Sequence, residues 1–392
     1  MEAANAGHYG EEKSMRFAHM ADLHIGKKLG PFERLDDQRY TLMETLGIIA
    51  ESRVDAVFLA GDIYDRSVPS AEAVVLADEF LTRLSEIAPV FIVAGNHDSP
   101  ERLAFGRGLM REKGVFIAGA YDGHVECHTL FDAFGPVRIH LLPFIRPRET
   151  EIFFENADFD TADQAVRAVI DRDGPVPGER NILITHQFVT ARSEKPVLSD
   201  SEVIPAGGLS EVDSRVFDGY QYVALGHLHA VQRVGRDAVR YAGSPLKYSF
   251  SEARHVKSVT VGEMDGEGNV KTTLLPLPYL RDLRVLRGPL SSLTDPALTA
   301  GENPEDYVSV TLTDEVPPAA PMEALSAVYP NVAHLELPSR QAEAAAGSSG
   351  ADTRTPMELF RDFYRLVSGN ELTPEMETIA QDAMQRAREG AE

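Results

Sequence analysis

Val90-Phe91-Ile92-Val93-Ala94-Gly95-Asn96-His97-Asp98-Ser99 is the stretch that decides the fold. An apolar, β-branched run ends abruptly in Gly-Asn-His-Asp, as a buried parallel strand does when it delivers polar side chains to the carboxyl edge of a sheet. Asn offers an amide oxygen to a metal, His can donate a proton, and Asp can orient that His. The same device recurs along the chain. Asp22-Leu23-His24 follows Phe17–Met20, Gly61-Asp62 follows Val57–Ala60, His186 follows Ile182–Thr185, and Gly226-His227-Leu228-His229 follows Tyr222–Leu225.

Working outward, Met15–Met20 is predicted as the first strand, with His19 inside it as a satisfied core histidine. Asp36 to Glu51 has helical periodicity through Tyr40, Met43, Leu46, Gly47, Ile49 and Ala50. Ser70 is expected to cap a helix running to Ile87, with Val74, Val75, Leu81 and Leu84 inward. These elements alternate as βαβαβ, a right-handed parallel arrangement and an α/β class. Further strands are expected at Val115–Ala118, Val125–His128, Val137–Leu142, Asn181–Thr185 and Tyr222–Leu225, with a helix from Thr161 to Ile170. His124, His128 and His140 lie away from strand ends and read as surface or structural residues. Asp65 reads equally as a carboxylate supporting the site or as a turn residue.

The chain has 392 residues, 43% hydrophobic content and a net charge of −23. That length suits a catalytic domain with an accessory one. The charge argues against a generic polyanion binder, so any nucleic-acid role must rest on a local basic patch and bound cations. A single cysteine, Cys127, excludes an internal disulfide and fits a reducing, cytoplasmic setting. No run approaches the ~20 apolar residues of a membrane span, and no membrane role is expected. Met1–Lys13 has no signal-peptide pattern, and residues 1–14 are expected to be a loose extension.

Seven residues are candidate metal ligands: Asp22, His24, Asp62, Asn96, His186, His227 and His229. They suffice for two adjacent cations if one carboxylate bridges. Such a pair can clamp the oxygens of a phosphodiester. Nitrogen and oxygen donors without thiolate favour Mn²⁺, Fe²⁺ or Zn²⁺ over Mg²⁺.

The series Asp22-x-His24, Gly61-Asp62, Gly95-Asn96-His97-Asp98, His186 and Gly226-His227-x-His229 resembles the calcineurin-like metallophosphoesterases. Within them, His19–Gly26, Gly61–Asp65 and Tyr241-Ala242-Gly243-Ser244-Pro245…Phe250-Ser251-Glu252 are similar to the SbcD branch, nuclease subunits of bacterial SbcCD complexes. The resemblance covers Met15 to Lys257 strongly and implies a β-sandwich flanked by helices, with a small α+β capping domain and C-terminal helices. It implies one ion on Asp22, His24, Asp62 and His229, and a second on Asp62, Asn96, His186 and His227, Mn²⁺ being the expected metal. It makes His97 the group beside the scissile phosphate, with Asp98 fixing its tautomer. Archaeal and eukaryotic relatives carry a second catalytic His where this chain has Asp65. The implied activities are 3′-to-5′ duplex exonuclease and ATP-linked hairpin endonuclease, on double-stranded DNA ends and hairpins, in repair, replication and recombination. The implied setting is the nucleoid, as a homodimer within a heterotetramer with the ATPase SbcC.

The implied layout is a nuclease domain at 15–279, a capping domain at 280–340, a linker at 341–354 and a helical tail at 355–392. Arg233, Arg236, Arg240, Lys247, Arg254 and Lys257 form a basic stretch near the last ligands that could track a phosphate backbone. Gly288–Ser339 has no Lys or Arg, so cap contact with DNA is expected only through Arg281, Arg284 and Arg287. In the tail, Thr355-Pro356-Met357-Glu358 is a capping box. Phe360, Phe363, Tyr364 and Val367 share one apolar face, which either docks on its own chain or, by the resemblance, clasps the coiled-coil base of SbcC. Another metallophosphoesterase, a phosphatase or cyclic-nucleotide phosphodiesterase, and a non-catalytic DNA-end scaffold are the competing readings.

Overall fold

The computed structural model describes residues 14–191, 196–202, 209–299, 301–316, 318–337, 356–368 and 371–389. The expected linker 341–354 and nearly all of the expected N-terminal extension lie outside these residues. The chain forms two compact units, Met1–Leu337 and Pro338–Glu392.

The first unit is built on two six-stranded sheets. One runs, in spatial order, Val270–Pro276, Ser258–Met264, Met15–Met20, Ala56–Ala60, Val90–Val93 and Val115–Ala118; the last four strands are parallel. The other runs Gln232–Val234, Arg236–Tyr241, Tyr222–Gly226, Arg180–His186, Gly135–Leu142 and Glu126–Asp132, with the central four parallel. Strand alternation sends successive side chains to opposite faces. Phe17, Phe58 and Phe91 therefore meet Ile139, Leu141, Ile182, Ile184 and Tyr222 in the space between the sheets. Ala18, Val57, Leu59, Val90 and Ile92 point the other way, onto the helices Leu35–Glu51 and Ala71–Ile87. Leu183, Val223 and Leu225 of the second sheet cover Val166 and Val169 of the helix Ala162–Asp173. The result is a sandwich with helices outside, in which both sheets carry buried parallel strands.

Two helical faces differ from expectation. Val74 and Val75 are exposed, and the buried stripe of their helix is Ala73, Leu76, Ala77, Phe80, Leu81 and Leu84. The Ser70 cap is as expected, accepting from the Ala73 amide at 3.2 Å. In Leu35–Glu51 the buried face is partly polar, with Asp37, Gln38, Thr41 and Thr45 inward and Tyr40 exposed. Those polar groups have internal partners: Thr41 Oγ1 donates to the Pro278 carbonyl at 2.9 Å, and Gln38 Nε2 to that of His24 at 2.7 Å.

A parallel three-stranded sheet (Leu283–Gly288, Tyr307–Leu312, Val332–Glu336) with the helix Pro321–Ser326 completes the unit. Its own core is Val308, Val310, Leu312, Leu325 and Tyr329. It joins the sandwich through Leu29, Leu283 and Tyr307, with Tyr307 Oη donating to buried Asp37 Oδ2 at 3.0 Å. Two of its three entrance arginines are committed to acids: Arg284 Nη1 lies 2.7 Å from Glu302, and Arg281 Nε lies 3.5 Å from Asp37.

The second unit contains the helices Pro356–Ser368 and Pro374–Glu389. Arg361 pairs with Glu377 at 2.5 Å, and Tyr364 Oη lies 3.6 Å from Met376 Sδ. Phe360 and Tyr364 are half-buried, while Ile379 is 69% exposed. The side chains of Phe363 and Val367 lie outside the described residues. Among the described residues, no helix is long and apolar enough to cross a membrane.

Candidate metal centre

The ends of five parallel strands converge at one edge of the sandwich. The first two loops are zipped by backbone bonds: the Asp22 amide donates to the Gly61 carbonyl at 3.0 Å and the His24 amide to that of Asp62 at 2.9 Å. Asp22 then receives the His227 amide, at 3.0 Å to Oδ1, from the opposite sheet. Asp62 Oδ1 receives the His97 amide at 2.9 Å. The loop carrying Asn96 and His97 approaches so closely that a Cβ on Gly95 would stand 2.1 Å from Asp62 Oδ1, which only glycine avoids.

Four of the seven non-glycine residues with positive φ among those described are here: Asp22 (54°), His24 (43°), Asp62 (52°) and His227 (108°). Such conformations cost about 1–3 kcal/mol each and persist where the surroundings enforce them. The strain turns each side chain off its strand direction and into a common space.

His24 Nε2 and His229 Nε2 are 3.1 Å apart. Asp62 Oδ2 is 3.6 Å from His24 Nε2 and 3.4 Å from His186 Nε2. Asn96 Oδ1 is 2.9 Å from both His186 Nε2 and His227 Nδ1. Asp22, His24 and His229 bring ligand atoms within 4.8 Å of one another, and so do Asp22, Asp62 and His186, and His24, Asp62 and His97. Two donors each about 2.1 Å from an ion and at right angles to each other are about 3.0 Å apart. These separations therefore suit cations lying between the donors. All seven expected ligands are brought together.

The electrostatics point the same way. Burial pushes the Asp22 carboxyl up to about 7. Burial opposes charge on Asp62 as well, yet the His186, His24 and His97 rings hold it well below the usual carboxylate range. Burial disfavours a charged His186, but the Asp62 carboxylate carries it up to about 9. Burial, with His186 beside it, pushes His227 down to about 3. Asp62 and His227 are thus left with bare lone pairs, while His186 and in part Asp22 hold protons that divalent cations would displace. His186 Nδ1 is 2.8 Å from the Ala60 carbonyl, which fixes that nitrogen as the donor and directs Nε2 inward.

His97 stands beside this cluster, its ring edge-on to His24 with centroids 4.8 Å apart. Its orientation corrects one expectation. His97 Nδ1 is held by the Asp65 carbonyl oxygen at 2.7 Å, not by Asp98. The Asp98 carboxylate instead accepts the amides of Gly95, Ile63 and Tyr64 at 3.0–3.2 Å and stitches two loops together. Asp65 supports the site: its carboxylate lies 3.7 Å from His24 Nδ1 and 2.9 Å from Lys27 Nζ.

The basic stretch also departs from expectation. Lys247 pairs with Asp282 at 2.7 Å, Lys257 with Glu252 at 2.6 Å, and Arg236 donates to the Phe217 carbonyl at 3.0 Å. Arg233 is exposed but lies 3.6 Å from Asp237, and Arg240 is half-buried. Interior carboxylates and carbonyls hold Arg236, Lys247 and Lys257, so that only the other half of the stretch, with Arg233 and Arg254 exposed, is turned outward. Cations nearer the centre are Lys27, Arg66 at 3.5 Å from Asp65, and Arg146 over the Phe144 ring at 5.2 Å. Phe144 in turn stacks toward His227, with centroids 6.5 Å apart. Sequence reading missed these residues because single cations in loops carry no periodic signal.

His19 is a core residue, with Nδ1 3.0 Å from Tyr222 Oη and Nε2 3.2 Å from the Leu225 carbonyl. His140 is buried against Asn181 at 3.0 Å, His128 packs on Phe116, and His124 pairs with Asp122 at 3.0 Å.

The family model for calcineurin-like phosphoesterases matches residues 15–231, a span that includes every strand-end residue of the centre. The chain belongs to this family. It is therefore a hydrolase acting on phosphoester bonds. A second model, SbcD_C, described as the type 5 capsule protein repressor C-terminal domain, matches residues 279–368 and marks this phosphoesterase as SbcD-type. A solved structure of a dimetal phosphatase from Danio rerio is similar at 14% identity, over 67% of this chain and 99% of that one, with a TM-score of 0.40.

Proposed function

We propose that this phosphoesterase is a two-metal, Mn²⁺-dependent DNA nuclease that works with an SbcC-type ATPase. The observation that carries this reading is the presence, in one chain, of a phosphoesterase span holding the strand-end cluster and an SbcD_C span. Asp22, His24, Asp62 and His229 would hold one ion; Asp62, Asn96, His186 and His227 would hold the other, with Asp62 shared. Bound ions supply Lewis acidity toward phosphate oxygens and lower the pKa of attacking water. Donors limited to nitrogen and oxygen suit Mn²⁺, Fe²⁺ or Zn²⁺ alike, and the choice of Mn²⁺ rests on the resemblance to the SbcD branch.

His97 takes the role of proton donor. With Nδ1–H committed to the Asp65 carbonyl, Nε2 is the atom left to protonate a leaving 3′ oxygen. Asp98 acts on the same loop as a positioning residue through its backbone bonds. Arg66, whose side chain is exposed, and Arg146 over Phe144 are the cations assigned to the phosphate backbone in place of Arg233, Arg240 and their neighbours, while Lys27 is held by Asp65. The layout follows as a nuclease domain at 15–279, a cap at 280–340, a linker at 341–354 and a tail at 355–392 that binds SbcC. Duplex ends and hairpins are the substrates, cleaved as a homodimer within the SbcCD heterotetramer on the nucleoid.

The deciding experiment compares Mn²⁺-dependent nucleotide release from linear duplex DNA with hydrolysis of small phosphomonoesters and cyclic nucleotides. Duplex cleavage dominating is the expected result. Turnover of the small substrates alone would make the protein another metallophosphoesterase, and no turnover of either would make it a scaffold.

A further inference from the structure

Behind His229 lies a group of buried charges that the centre itself does not use. Glu252 is 0% exposed and Lys257 is 9% exposed, and the two pair at 2.6 Å. Glu252 Oε1 lies 3.3 Å from His229 Nδ1 and accepts from Ser201 Oγ at 2.6 Å. Lys257 Nζ donates to the His229 carbonyl at 2.9 Å and to Ser244 Oγ at 2.8 Å. The His229 amide donates to Glu202 Oε1 at 2.7 Å. A Cβ on Gly243, whose φ is +73°, would stand 2.8 Å from the His229 carbonyl oxygen, so the chain turns directly beneath that residue.

His229 is therefore held at its amide, its carbonyl and its Nδ1, while its Nε2 faces His24. A buried ion pair seldom repays its desolvation through stability alone. We propose that Glu252 and Lys257 are positioning residues: Glu252 fixes His229 with Nδ1 protonated and Nε2 bare, and Lys257 anchors both Glu252 and the His229 backbone. Their effect falls on the ion held by Asp22, His24 and His229, and not on the one held by Asn96, His186 and His227. This rests on the two-ion reading proposed above.

The test is Mn²⁺ titration of the full chain by calorimetry and electron paramagnetic resonance. The wild type should bind two ions; failure there sinks the two-ion reading and leaves this inference without its object. If two ions bind, Glu252→Gln should weaken one binding step about 10–100-fold and leave the other unchanged, the usual scale for an outer-shell partner of a metal-bound histidine. Glu252→Gln strands the Lys257 charge, so Glu252→Gln/Lys257→Met is measured alongside, because it removes the pair together. Loss at one step in the double variant, with the unfolding midpoint within a few degrees of wild type, supports positioning. Unchanged affinity at both steps, equal loss at both, or loss that only tracks unfolding overturns it.

Discussion

Replacing His97 by Ala tests whether the ring acts in chemistry or in binding the metal. The substitution is unusually clean because the His97 contact to Asp62 is made by its backbone amide, at 2.9 Å. Alanine keeps that amide, so Asp62 retains its orientation. What disappears is the half-buried imidazole, its edge-on contact with His24 and its bond to the Asp65 carbonyl. The contact and the bond are each worth about 0.5–1.5 kcal/mol, so the stability loss is about 1–3 kcal/mol. A positioned acid contributes about 10²–10⁴-fold in rate, equivalent to about 3–5 kcal/mol of the barrier. The expected outcome is two Mn²⁺ per chain by elemental analysis, unchanged duplex binding by fluorescence anisotropy, and single-turnover cleavage slower by at least ~10²-fold. His97 also lies within ligand distance of His24 and Asp62. If Mn²⁺ content fell in step with the rate, His97 would be a ligand and the proton-donor assignment would be wrong. A rate within tenfold of wild type would dismiss both roles.

Asp62→Ala should lose both ions and all metal-dependent cleavage, since Asp62 lies against both His24 and His186; full stoichiometry by elemental analysis would contradict the shared role. His19 is buried and its pKa is pushed down from 6.5 to about 3 by burial. The unfolded chain therefore takes the proton first, so this contribution is complete above pH 6.5 and is lost as pH falls toward 3, up to about 5 kcal/mol. Urea midpoints should drop more steeply between pH 7 and pH 4 in the wild type than in His19→Gln; parallel slopes would refute this. Removing residues 355–392 should leave the unfolding midpoint and Mn²⁺-dependent cleavage nearly unchanged while abolishing co-purification with SbcC. Undiminished co-purification would place the partner site elsewhere, and a large fall in the midpoint would mean that the helices stabilise their own chain.

What could be read from sequence was whatever a strand end displays. A β-branched run followed by Gly-Asn-His-Asp is local, and five such ends carry a shared chemistry before any coordinates exist. The pairing of two sheets face to face is not local: Phe17 and Tyr222 meet with centroids 4.7 Å apart across most of the unit. Only the family resemblance supplied that expectation. Helix Leu35–Glu51 misled for a different reason. Hydrophobic periodicity assumes that the buried face is apolar, whereas Asp37, Gln38 and Thr41 are buried to bond Tyr307 of the three-stranded sheet, the His24 loop and the Pro278 carbonyl. Glu252 and Lys257 failed in the same sense, because a charged pair in sequence reads as solvent-facing until a third group, here His229, is found between its partners.

The excess of acid bears directly on how a chain of net charge −23 would engage a polyanion. The loop before Tyr307–Leu312 bears Glu302 and Asp306, the strand Val332–Glu336 bears Glu336, and Arg284 pairs with both Glu302 and Asp306. Half of the basic stretch from Arg233 to Lys257, namely Arg236, Lys247 and Lys257, is likewise spent internally. The paired residues of this stretch would contribute little counterion release, which lowers the salt dependence the stretch can supply. The centre is where the balance changes. Asp22 and Asp62 bring two carboxylates to a site whose remaining donors are neutral when they coordinate, so that with two divalent ions bound the local charge would be about +2. In the proposed reading the bound metals are thus the phosphate-binding surface as well as the chemical one. Substrate recognition and catalysis would then depend on the same seven side chains, with Arg66 and Arg146 at their margin.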